Sequence, residues 1–257
     1  ALGRLAPAAA RDPFGDAALE AGLVLRRLGR YDEAETLLEP LVAAAAGGGE
    51  GHALARGARA AFALGAHRLA NDLFREAVEV LGEAPGVETA WGDLFLHTHN
   101  EPDAQQSFQR ALGASPAYVP ALVGLARATA ATDPPAARRH ALRALELDPR
   151  AWRAHLVLAD LALDTRQRDE ARTAIAAALA IDPRASEALA LRAALAAVEG
   201  REDDLQADVR AALAINPRDS RPWRVASEHV AGHYRFEEAV ALARRAVAVD
   251  GADASAR

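Results

Sequence analysis

The sequence predicts an all-α chain, a solenoid of antiparallel helix pairs, and three observations carry that prediction. Asp148-Pro149, Asp182-Pro183 and Asn216-Pro217 recur at a step of 34 residues. Ala144, Ala178 and Ala212 keep the same step, each five residues before its proline, and Ala111 with Pro116 repeats the offset upstream. Small residues hold a fixed place within each period. A period of about 34 residues is the length of one helix–turn–helix unit, which must stack on its neighbours to bury its apolar face.

Setting the terminal proline at place 32 starts seven repeats near Gly15, Gly51, Pro85, Val119, Trp152, Ser186 and Ser220. Place 8 then holds Gly22, Ala58, Gly92, Ala126, Ala159, Ala193 and Ser227. Place 20 holds Ala34, Ala70, Ala104, Ala171 and Ala239, with Leu205 as the exception and Ala136 or Ala137 in the fourth repeat. Two helices cross closely only where side chains are small, so these places mark the crossing. Larger residues fill the space around it: Leu25, Phe95 and Val230 at place 11, and Leu38, Phe74, Phe108 and Ile175 at place 24.

The turns follow the same register. Gly29-Arg30-Tyr31, Gly65-Ala66-His67 and Gly200-Arg201-Glu202 separate first helices from second helices, and glycine accepts the left-handed conformation that ends a helix. Each Asp-Pro or Asn-Pro pair stops a second helix, because the residue before proline avoids helical geometry. Pro102 and Pro134-Pro135 open second helices, where a missing N–H costs little. Pro40 falls inside the second helix of the first repeat, and Gly47-Gly48-Gly49 and Gly51 follow it, which predicts a kinked, mobile joint before the second repeat. The fourth repeat is one residue short, turning at Thr132-Asp133-Pro134-Pro135, a change expected to alter the local superhelical twist.

This register resembles the tetratricopeptide repeat family over nearly the whole chain. The resemblance implies a right-handed superhelix over residues 15–253, with residues 1–14 a remnant of a preceding helix or a leader and 254–257 the truncated start of a further helix. No polar capping helix is visible, so the array is expected to continue past one or both ends, as solenoids need covered terminal faces. The resemblance also implies a concave groove lined by the first helices. Carrying its places over gives Arg26, Arg27, His52, Arg59, Phe62 and Arg127, then Asp93, His97, Arg153, Asp160, Asp164, Arg221, Arg224 and Glu228. That groove is expected to be polar, with arginines near its start and acids near its middle. The family's chaperone-binding carboxylate clamp needs a Lys and Asn pair where this chain has Leu19 and Leu23, which argues against that partner.

Composition removes several classes of chemistry. There is no Cys, so there is no disulfide, thiolate metal site or cysteine nucleophile. All thirty basic residues are Arg, which excludes a Lys Schiff base and a Walker lysine within these residues. A net charge of −6 opposes nonspecific nucleic-acid binding. The charge is uneven: residues 1–117 hold ten Arg against sixteen acids, and the remainder is balanced. No apolar run approaches the length of a membrane span. There is no Met, so the chain is expected to be processed or a piece of a longer protein. Cytoplasmic and exported locations are both open.

Candidate catalytic motifs have plainer readings. The glycine stretch 47–51 lacks the Lys-Ser or Lys-Thr of a phosphate loop and follows no strand. His229 and His233 share a helix face four residues apart, but the order Glu-His-Val-Ala-Gly-His is not the zinc-peptidase motif, and both are read as structural or surface histidines. Asp203-Asp204 and Glu237-Glu238 sit at helix starts, where carboxylates suit the dipole. Trp91, Trp152 and Trp223 are read as packing residues. No catalytic residue, metal or cofactor is expected. The expected function is a noncatalytic protein–protein interaction scaffold. It would hold a peptide or partner protein, with no nucleic acid or membrane as partner. The alternative is a substrate-positioning repeat region of a larger bacterial enzyme such as an exported peptidase. The stretch from Ile215 through Ala239 resembles repeats that precede such domains. Further domains of the same parent chain are then partners too.

Overall fold

The computed structural model describes residues 2–249, and among them all regular secondary structure is helical. The chain divides into two compact units, Ala1–Thr129 and Ala130–Arg257. The first contains α1 (Leu2–Arg11), α2 (Asp16–Arg27), α3 (Tyr31–Ala46), α4 (Gly51–Ala63), α5 (His67–Leu81), α6 (Pro85–His97), α7 (Glu101–Ala114) and α8 (Val119–Thr129). The second contains α9 (Pro134–Leu147), α10 (Trp152–Asp164), α11 (Arg168–Ile181), α12 (Ser186–Val198), α13 (Glu202–Ile215), α14 (Arg221–Gly232) and α15 (Phe236–Val249). The expected close of the seventh repeat near Asp253, and the expected helix start at 254–257, lie outside the described residues.

Small and large residues meet at the helix crossings. A Cβ added to Gly22 would stand 2.6 Å from the Leu38 side chain, and one added to Gly92 would stand 2.6 Å from Phe108. Place 8 of a first helix is therefore emptied to admit place 24 of the second. Leu38, Phe74 and Phe108 are fully buried there, and Ile175 nearly so. Gly124 on α8 presses on the same Phe108 ring from the other side, and Gly57 on α4 closes on Ala45 of α3. Where place 8 carries a hydroxyl, at Ser227, it donates to the Ala239 carbonyl at place 20, 2.8 Å away.

One turn geometry recurs in six of the seven pairs. The residue at place 15 has positive φ: Gly29, Gly65 and Gly200, but also His99, Arg166 and Tyr234 at 55°, 61° and 60°. The following N–H donates to the carbonyl five residues back, as from Arg30 to Leu25, Asn100 to Phe95 and Gln167 to Ala162. This is the Schellman closure, which satisfies a carbonyl left open at the helix end. The shortened fourth pair departs from it. Asp133 takes place 15 with φ −142°, and its carboxylate caps α9 by accepting from the Ala136 N–H at 2.9 Å.

The Asp-Pro and Asn-Pro exits have a second physical basis besides proline. The side chains of Asp148, Asp182 and Asn216 each accept from the N–H two residues on, at 2.9–3.0 Å. Asp12 does the same with Phe14 at 3.1 Å, so the exit of α1 is built like the exits of later second helices. α3 runs unbroken through Pro40 to Ala46. One lost hydrogen bond is tolerated because proline's φ is itself helical and because Leu38 and Leu41 on either side are buried.

Candidate functional site

The first helices of unit one, α2, α4, α6 and α8, lie in sequence beside one another, and a groove of about 900 Å³ is lined chiefly from α4 and α6, with Asp16 of α2 and with Tyr118 just before α8. His52, Arg56, Arg59, Thr89, Asp93 and Tyr118 are among its lining residues. Arg56 Nε and Thr89 Oγ1 are buried donors with no hydrogen-bond partner among the described residues. Arg59 pairs with Glu20 at 2.8 Å and Arg127 with Asp93 at 2.9 Å, while Arg56 lies 3.5 Å from Asp16. Each pair joins one first helix to the next.

The remaining expected residues of this unit separate into two groups. Arg26 lies over the Tyr31 ring at 5.2 Å, and Arg27 is exposed beside it. Phe62 and His97 come together with His67 instead of facing open solvent singly. The Phe62–His97 and His67–His97 centroids are 5.4 and 4.9 Å apart, all edge-on. Burial, followed by the fields of His67 and His99, lowers the His97 pKa and favours its neutral form.

In unit two, Glu187 on α12 stands between Arg153 of α10 at 3.9 Å and Arg221 of α14 at 3.6 Å. Arg224 pairs with Glu228 one turn along α14 at 2.8 Å. Asp160 and Asp164, both on α10, converge on His229 of α14, whose side chain is only 9% exposed. Sequence reasoning placed the two acids on the groove but did not name His229 as their partner. Nor did it name Glu20, Arg56, Thr89, Tyr118 or Glu187. Part of this was legible, because Asp93 and Arg127 both hold place 9, and Arg153, Glu187 and Arg221 all hold place 2, with alternating charge. Opposite charges at one place in successive repeats signal a pair between stacked helices.

The three tryptophans pack. Trp91 donates to Asn71 Oδ1 at 2.9 Å and stacks on Phe95, Trp152 sits against the Ala178, Ala185 and Ala188 cluster, and Trp223 is buried under Arg245. Among the described residues, no group of three or more His, Cys, Asp or Glu side chains is arranged to hold a metal, and no helix is long and apolar enough to cross a membrane.

No protein-family model and no curated protein matches the sequence. Solved structures do. A tetratricopeptide repeat protein from Parabacteroides merdae is 15% identical and superposes with a TM-score of 0.62, over 93% of this chain and 94% of that one. A chain of the APC/C hetero-tetramer Cut9-Hcn1 is 11% identical with a TM-score of 0.68, over 99% of this chain and 50% of that one. At such identities the likeness establishes architecture: this chain has the tetratricopeptide repeat fold.

Proposed function

We propose that this chain is a noncatalytic interaction scaffold that holds an extended, acidic segment of a partner protein in the groove of its first unit. The observation that carries the reading is the groove itself, about 900 Å³ and bordered by Arg56, Arg59 and His52. Arg59 and Arg127 are half-exposed, as are their acidic partners. Exposed ion pairs contribute only about 0.2–1 kcal/mol each, so a carboxylate on the partner exchanges for Glu20 or Asp93 at little cost. An arginine fork holds such a carboxylate through two parallel hydrogen bonds. Among the described residues, Arg56 Nε and Thr89 Oγ1 are donors without acceptors, and an acidic segment brings acceptors.

The test is a peptide array of acidic, neutral and basic segments, followed by solution affinities for the best binders. The doubly substituted chain Arg59→Glu and Arg127→Glu is expected to lose about tenfold or more in affinity for acidic segments while its helical circular dichroism is retained. Unchanged affinity in a folded variant would remove these residues from the reading, and preference for basic segments would reverse it.

A further inference from the structure

The imidazole of His229 is enclosed by carboxylates on both of its nitrogens. Nε2 lies 3.1 Å from Asp160 Oδ1, and Nδ1 lies 3.5 Å from Asp164 Oδ1. The histidine is on α14 and both acids are one turn apart on α10, 69 residues away for the closer pair. α10 and α14 each pack against α12 as well as touching one another. A neutral imidazole has one N–H and one lone pair, so it donates to one carboxylate and presents a lone pair to the other. Only the imidazolium is attracted to both, through a hydrogen bond to Asp160 and an ion-pair contact with Asp164.

We propose that His229 is a proton-operated latch: as the imidazolium it ties α14 to α10 through Asp160 and Asp164, and loss of its proton releases the tie.

The charged surroundings are consistent with this device. From α10 the groups facing the ring are Asp160 and Asp164, and from α14 itself Glu228, which also holds Arg224. On α12, Arg192 is engaged by Asp208 of α13, and on α15, Glu238 is engaged by Arg235. His233, one turn on, is hydrogen-bonded to the His229 carbonyl at 3.0 Å. Burial alone lowers the His229 pKa. The Asp160 hydrogen bond and the fields of Asp160, Asp164 and Glu228 outweigh it, and the net direction is upward. Burial and the neighbouring Asp160 push Asp164 upward, with His229 opposing them.

A histidine whose pKa is raised on folding contributes stability fully below its unfolded pKa of about 6.5 and loses it as pH rises through the folded value. At the acid end, Asp164 protonates earlier than an ordinary aspartate and weakens the latch from that side.

The experiment is an NMR titration of the histidine rings in the intact chain, with thermal unfolding of wild type and His229→Gln measured across the same pH range. His229 is expected to titrate above 6.5, and its midpoint is expected to fall in the Asp160→Asn, Asp164→Asn double variant. The melting-temperature gap between wild type and His229→Gln is expected to be widest below the wild-type midpoint and to shrink above it. Amide exchange along α14 is expected to quicken over that same interval. A His229 midpoint at or below the ordinary histidine value, or a gap that does not change with pH, overturns the proposal. The change in the gap is decisive, since a purely structural loss from removing a buried ring is the same at every pH.

Discussion

At the residue scale, place 15 and Phe108 show backbone and packing demands pulling in opposite directions. His99, Arg166 and Tyr234 occupy the left-handed region where Gly29, Gly65 and Gly200 stand in sister turns. An L side chain there costs about 1–2 kcal/mol, part of which glycine returns as unfolded-state entropy. Arg166→Gly is therefore expected to stabilise the chain by roughly 0.5–1 kcal/mol, read as a higher urea midpoint. Gly124 gives the opposite case. Its helical φ suits alanine, but a Cβ there runs into the fully buried Phe108 ring, already pressed by Gly92. Gly124→Ala is expected to lose about 1–3 kcal/mol by overpacking, despite the gain in helix propensity. A stabilised Gly124→Ala would mean that the ring has room to move.

At the element scale, α3 is the helix that carries a defect in its own length. Pro40 sits inside it, half-buried, between Leu38 and Leu41. The helix persists because its apolar stripe docks on α2 and α4, with Leu38, Leu41 and Ala60 in one cluster. Tertiary burial, more than propensity, holds most helices of this length. Pro40→Ala restores the hydrogen bond without changing that stripe, and is expected to stabilise by about 1–3 kcal/mol. Thermal unfolding measures it, and a lower melting temperature would show that the proline ring itself packs against α4. α3 is continuous through Pro40, and the chain turns at 47–50, ending where buried Gly51 packs on Leu81.

At the scale of the whole molecule, within each unit a helix touches chiefly those next to it in the chain or one repeat away. Stability within a unit is then a sum of pair terms and nearest-neighbour interfaces. Phe108→Ala is expected to cost about 3–5 kcal/mol and to show that loss locally. Hydrogen exchange is expected to accelerate in α6, α7 and α8 and far less in α12 through α14. Uniform acceleration across all helices would instead indicate one cooperative block. The acidic excess lies in the first 117 residues, the same stretch that bears Arg56 and Arg59 of the groove. Both are met by acids of the chain itself, Asp16 and Glu20, so the groove carries paired opposite charges and not a bare basic track.

The helix-pair architecture, the turn positions and the crossing points are readable from the chain's residues alone. Those depend on local and repeated demands: a small residue at place 8, a large one at place 24, a left-handed residue at place 15 and a proline exit. Each demand recurs at a spacing of about 34, so one misread position is corrected by the others. The charge alternation at places 2 and 9 was legible for the same reason. Which side chains close on one another when their places differ emerges from the packing of the helices. His229 at place 10 meets acids at places 9 and 13 of a helix two repeats earlier, and Arg59 at place 9 meets Glu20 at place 6. Such meetings depend on the tilt and rotation of stacked helices, which side-chain volumes throughout the core set together. No short stretch of sequence carries that sum.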